Sequence, residues 1–292
     1  MTTFKLLLMA LLWGGTFIAG RIIAQEVAPL PAAFYRFLIA SGALWVTVRL
    51  VQGRLPRLTV GQWLGVSLLG LTGVFAYNYF FLSGLKTVPA SRAALIVASN
   101  PTLTALVAWL LFDEPMPPFR ALGIGLALGG AVLIIGQGHW QVLIQGGFAE
   151  GELLIFGCVL MWVGYTFIGR WMLATLSPLV ATTYACLSGC LMLLLGAAGE
   201  GLLTTMPAFS PAAWGSIVFL GLGGTALAFT WYYDGVSRIG PAGAAVFINL
   251  VPVFAVLLSI LLLGERPTVY ELAGGILVVI GVALAQRAVD PP

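Results

Sequence analysis

The sequence predicts an all-α polytopic membrane protein: ten transmembrane helices forming an inverted repeat of two five-helix halves around a central cavity. Three observations predict this class. Apolar residues make up 60% of the 292 residues, charged residues only 8%, and mean hydropathy is +1.05, whereas soluble chains carry about 25% charged residues. The apolar residues come in charge-free stretches such as 93–112, 121–138, 171–199 and 239–264. These are long enough for helices, which need about 20 residues to cross a bilayer, and too long for barrel strands of about ten. Finally, "WGGTFIAGR" (13–21) returns as "WVGYTFIGR" (162–170), 149 positions later.

Breaks at proline, glycine and charge place spans near 4–24, 32–51, 60–82, 92–112, 119–137, 151–172, 178–197, 212–233, 242–263 and 270–287. The first begins with Lys5 and "LLLMALLW", which looks like a signal peptide. No small-residue cleavage site followed by polar sequence appears, so it reads as a retained helix. The longest polar interruption, 138–150, falls midway and holds the single histidine, His139. Cys158, Cys186 and Cys190 all lie in apolar stretches and read as small core packers. No metal-ligand spacing or disulfide framework is present, and nothing calls for a cofactor or a nucleic-acid partner.

The echo extends through the chain. Pro29 and Tyr35 match Pro178 and Tyr184 at an offset of 149, while Pro101, Glu114 and Gly123 match Pro252, Glu265 and Gly274 at 151. The unit is one five-span block, 1–143, followed by its copy, 144–292. An odd number of spans makes the second copy enter the membrane from the opposite side, as in many secondary transporters, whose sites lie between the repeats near the midplane. Assigning the loops with both termini cytoplasmic puts eight Lys and Arg inside and five outside, the five being Arg21, Arg36, Lys86, Arg92 and Arg266. That bias favours the cytoplasmic termini.

Ten spans, the five-plus-five repeat, "LLWGGTFIAGR" and "LLFDEP…ALGIGLALGGAVLI" resemble the drug/metabolite transporter superfamily, its EamA-type ten-helix exporters, and among these the YddG-type aromatic amino-acid exporters of bacterial inner membranes. The resemblance covers essentially the whole chain. It implies a basket of helices in which spans 1–4 and 6–9 line a central cavity and spans 5 and 10 pack outside.

The residues themselves suggest which side chains act there. Pro101 and Pro252 sit near the middle of spans four and nine, where each frees a carbonyl four residues back, at Val97 and Ile248. In lipid such groups must find partners or line a wet cavity. The pair reads as hinges, with packed kinks as the plainer explanation, and Asn100 and Asn249 beside them are amides at substrate depth. "FAYNYFF" (75–81) and "FTWYY" (229–233) occupy corresponding places in spans three and eight. Tyr232 and Tyr233 fit an interfacial aromatic belt. Tyr77, Asn78 and Phe81, with Trp13, Trp162, Tyr165 and Trp231, are assigned to an aromatic-walled chamber that holds planar side chains by stacking. Gly125 and Gly129, with Gly274 and Gly275, suit close helix packing or a homodimer contact.

No Asp or Glu lies in the middle of a span. Proton-driven pumps commonly use an intramembrane carboxylate, so a drug–proton antiporter is disfavoured and the cargo reads as neutral or zwitterionic. Arg21 and Arg170, equivalent in the repeat, are placed to attract a carboxylate or to snorkel to the interface. The expected function is export of small amphipathic metabolites, aromatic and other hydrophobic amino acids first, by alternating access. The alternatives are a multidrug exporter of aromatic cations and an integral-membrane enzyme, the latter lacking any reactive cluster inside the spans.

Overall fold

Ten helices follow one another in the computed structural model, which describes residues 2–112, 114–137, 149–200, 202 and 209–286. They are α1 (Thr2–Ala24), α2 (Pro29–Gln52), α3 (Val60–Gly84), α4 (Ala90–Phe112), α5 (Pro118–Gly136), α6 (Glu150–Met172), α7 (Pro178–Ala198), α8 (Pro211–Val236), α9 (Val246–Leu263) and α10 (Val269–Ala285). The first nine are long and apolar enough to cross a membrane, and α10 is a shorter apolar helix. His139, Asp113 and the expected block boundary at 143/144 lie outside the described residues.

Local chemistry sets the starts. Pro29, Pro118, Pro178 and Pro211 open α2, α5, α7 and α8 after extended residues, at the position where a missing N–H costs nothing. Thr59 with Gln62 and Thr268 with Glu271 form capping boxes at α3 and α10. The helical path continues beyond Val236 and turns at Gly240 (φ 77°, ψ 163°). Mid-helix breaks come at Ala98–Ser99 in α4 and Asn249–Leu250 in α9, again 151 positions apart and just ahead of Pro101 and Pro252. There Ser99 N–H bonds Ile96 O and Asn249 N–H bonds Val246 O, three residues back, because the prolines cannot complete the regular ladder.

The molecule turns its grease outward. Leu195, Leu261 and Ile276 are exposed, while Arg36, Asn78, Thr102, Thr183 and Ser259 are buried among an otherwise apolar interior, an arrangement suited to lipid, which cannot satisfy polar groups. Helix α1 packs against α2, α3, α4, α8 and α9, and α6 packs against α3 and α4. Helices α5 and α10 lie against each other. A Cβ at Gly281 would stand 2.5 Å from Gly123 O, and one at Gly130 would stand 2.5 Å from Gly274 O. Gly125 and Gly129, by contrast, meet nothing within 4 Å, so Gly123 and Gly130 carry the packing that the sequence assigns to them.

Carboxylates stitch the two halves along the face that carries the α1–α2 and α3–α4 loops. Glu26 accepts from Ser210 N–H and Oγ at the start of α8. Glu200 accepts from Leu30 N–H at the start of α2, and Glu265 from Ala90 N–H, Ser91 N–H and Ser91 Oγ at the start of α4. Each places negative charge on a helix N-terminus of the opposite half, where the unpaired amides and the dipole favour it. Arg92 completes the belt between Glu152 (2.9 Å) and Glu271 (2.7 Å). The opposite face is held by Lys5–Asp234 at 2.7 Å and Glu114–Arg170 at 3.0 Å.

Two outcomes are expected. Gly281→Val or Gly130→Val should destabilise the detergent-solubilised protein by about 1–3 kcal/mol, as overpacking does, seen as a lowered Tm, whereas Gly125→Ala should leave Tm unchanged. The hydrogen bonds from Ser210, side chain first and backbone second, hold the Glu26 carboxyl below its ordinary 4.5. Its stabilisation is therefore complete above that pH and lost as pH falls through the lowered value. A Glu26→Gln variant should melt below the parent at neutral pH, with the gap closing as acid protonates Glu26.

Candidate functional site

The site begins with two matching irregularities. Helices α3 and α8 each widen into π geometry, over Gly70–Ala76 and Phe219–Leu227, segments that start 149 positions apart. Such turns leave carbonyls poorly paired and recur at functional sites. Side chains pair them here: Thr225 Oγ1 donates to Leu220 O (2.9 Å), and Asn78 Nδ2 donates to Val74 O (2.8 Å). Gly73 lets the Tyr165 ring lie directly on the α3 backbone, since a Cβ there would overlap the ring.

Between the two π segments lies Arg36 of α2. Its Nη1 donates to Asn78 Oδ1 (2.8 Å) and its Nη2 to Thr225 Oγ1 (3.3 Å). Its guanidinium carbon stands 4.9 Å from the centre of the Phe37 ring. Nε has no partner, and the residue is only 8% exposed. The loop assignment from sequence put Arg36 on the outer rim. The helix starts at Pro29, however, so Arg36 lies about 10 Å along it at the 1.5 Å rise per residue.

A cavity of about 50 Å³ adjoins this group, lined from α2, α3, α6, α7 and α8. Tyr77, Trp162 and Tyr165 form its ring wall: Tyr77 and Trp162 centroids are 5.6 Å apart, Trp162 and Tyr165 5.3 Å. Phe229, Thr182, Ala185 and Cys186 close the other side. Helices α5 and α10 give no lining residue, and neither do α1, α4 and α9, so the lining is narrower than the eight spans the resemblance implies. The space admits a few waters and is well short of the roughly 300–1,000 Å³ of small-molecule pockets.

Of the residues singled out from sequence, Tyr77, Asn78, Trp162 and Tyr165 come together in this lining. Phe81 stands behind the wall, stacked on Tyr77 at 5.8 Å and 19°. Trp13 backs Phe229 at 5.4 Å and donates its indole N–H to Gly224 O at 3.0 Å, bracing the α8 π segment. Trp231 belongs to a separate apolar cluster around Leu6 and Met9. Asn100 is buried at the α4 break, its Oδ1 unpartnered, and is outside the lining. Asn249 donates to Gln286 Oε1 at 3.1 Å, also away from the cavity. Arg21 bonds Leu85 O, and Arg170, 71% exposed, pairs with Glu114. Both arginines lie at span ends, and the arginine inside the cavity is Arg36.

Thr182 and Thr225 were not singled out from sequence, Phe229 entered only as the start of the stretch 229–233, and Arg36 only in the loop charge count. One signal was available for Arg36: its counterpart at offset 149 is Ala185, which lines the same cavity. The chamber carries one permanent cation, and no carboxylate is found among its lining residues.

Known proteins fit this architecture. The EamA-like transporter family profile matches twice, over residues 2–136 and 149–286. The chain is 28% identical over 279 residues to the uncharacterized transporter YyaM of Bacillus subtilis, covering 96% of this chain and 91% of that one. An uncharacterized transporter of Archaeoglobus fulgidus is 30% identical over 289 residues (97% and 96% covered). A probable terminal-alkyne amino-acid exporter of Streptantibioticus cattleyicolor is 28% identical over 285 residues (97% and 92%). One solved crystal structure shares the fold at TM-score 0.66 and 24% identity, covering 97% of this chain and 96% of its own. Two matched halves spanning nearly all described residues, enclosing a cavity at their interface, make this chain a member of the EamA-like transporter family.

Proposed function

We propose that the protein exports small amphipathic metabolites, with aromatic and other hydrophobic amino acids as cargo, from the bacterial cytoplasm across the inner membrane by alternating access. The observation that carries this reading is the ring wall of Tyr77, Trp162 and Tyr165 at the interface of the two halves. Aromatic pairs contribute about 0.5–1.5 kcal/mol beyond burial, which suits planar side chains. The named activity of the Streptantibioticus relative, amino-acid export, supports the same class.

A cavity of about 50 Å³ cannot hold such cargo, so the halves must separate to admit it. The breaks ahead of Pro101 and Pro252 supply places where α4 and α9 can bend, and the carboxylate belt supplies a closure that can open on one face. With Arg36 inside the membrane, the lysine and arginine count becomes eight to four in favour of cytoplasmic termini. Aromatic cations as cargo are disfavoured because Arg36 repels them.

Counterflow of labelled phenylalanine in proteoliposomes tests this. Tyr77→Ala and Trp162→Ala should each slow exchange roughly 2- to 10-fold, the range that one lost ring pair implies, at unchanged folded yield. Wild-type exchange in both variants would remove these rings from the path. Pro101→Ala should slow maximal turnover more than it changes half-saturation, and unaltered kinetics would remove the hinge.

A further inference from the structure

We infer that Arg36 is a carboxylate subsite, so that the cargo is defined by one carboxylate and one apolar ring, with the amino group dispensable. This rests on the reading that the ring-walled cavity is the transport site. A charged residue within a span is costly and by default marks a functional site. The partners of Arg36 do not neutralise it. Asn78 and Thr225 are neutral, and each already spends a donor on its own π segment. Nε is buried without a partner, and Arg36 is one of the residues that line the cavity. A guanidinium presents paired N–H groups that match a carboxylate, and the adjoining cavity of about 50 Å³ is open to small polar groups although too small for a whole substrate.

The charge is also one-sided. The repeat equivalent of Arg36 is Ala185, across the same cavity. A pseudo-symmetric chamber with a single cation orients its ligand: carboxylate toward α2 and α3, ring toward Tyr77, Trp162 and Tyr165. No lining residue is an aspartate or glutamate, so an ammonium finds no counter-charge. Arylalkanoates without an amine should therefore be carried, and arylalkylamines of the same size rejected.

Three near-isosteric probes decide this: phenylalanine, 3-phenylpropanoate and 2-phenylethylamine, each measured by counterflow above the rate of protein-free vesicles. The wild type should exchange the two carboxylates and pass the amine at least tenfold more slowly. Arg36→Gln should lose at least tenfold on both carboxylates while its rate for the amine does not fall, a reversal of selectivity that general structural damage does not produce. Arg36→Lys should recover part of the loss. Wild-type exchange of the amine as fast as 3-phenylpropanoate, or undiminished carboxylate exchange by Arg36→Gln, would overturn the subsite while leaving the ring-walled path intact. Failure of the wild type to exchange any of the three would overturn the transport reading and the subsite together. Should Arg36→Gln not fold, thermal stabilisation of the solubilised wild type decides: by 3-phenylpropanoate and not the amine supports the subsite, by both equally or by neither overturns it.

Discussion

One guanidinium organises the centre of this protein. Arg36 of α2 reaches Asn78 of α3 and Thr225 of α8, and so joins the two π segments that interrupt corresponding helices of the two halves. Hydrocarbon supplies no hydrogen bonds, so every loosened turn must be satisfied from within. Asn78 and Thr225 do this for their own helices and then offer their remaining acceptors to Arg36. Arg36, Asn78 and Thr225 gather where the two blocks meet, and the proposed site is built on them. Rings of Tyr77, Trp162 and Tyr165 share the same small space, giving it one charged end and one apolar wall.

The rest of the fold serves this centre from a distance. Helices α5 and α10 stand apart from the cavity and lock by backbone contact at paired glycines. Glu26, Glu200 and Glu265 each reach a helix start in the opposite half. Each of these contacts joins one block to the other, so the proposed alternating access requires them to break. The interior between the blocks is close-packed, with a cavity of only about 50 Å³ at its centre. Pro101 and Pro252 place the weakest backbone midway along the helices that flank α1 and α6.

Much of this was legible in the sequence. Hydropathy placed all ten helices within a few residues, because crossing lipid is a constraint of length and composition alone. The repeat was legible because both copies keep Pro29 and Pro178, Pro101 and Pro252, at positions where proline has a backbone consequence. The π segments were not legible: they depend on partners such as Thr225 with Leu220 O and on the fit of Tyr165 against Gly73, which no local pattern records. Arg36 was misplaced because an arginine so near the start of a span placed at 32–51 ordinarily snorkels outward, whereas hydrogen bonds to α3 and α8 hold it inside. Asn249 sat at a plausible depth, yet tertiary packing gave it Gln286 instead of the chamber. The aromatic stretch 75–81 was the most informative local signal, since Tyr77 and Asn78 are adjacent and both line the cavity.

The most direct measurement is a structure determined with phenylalanine bound. The account expects its carboxylate within hydrogen-bond distance of the Arg36 guanidinium and its ring against Tyr77 and Trp162, in a chamber enlarged by separation of the halves. A ligand seated elsewhere, with the chamber still closed around Arg36, would contradict it.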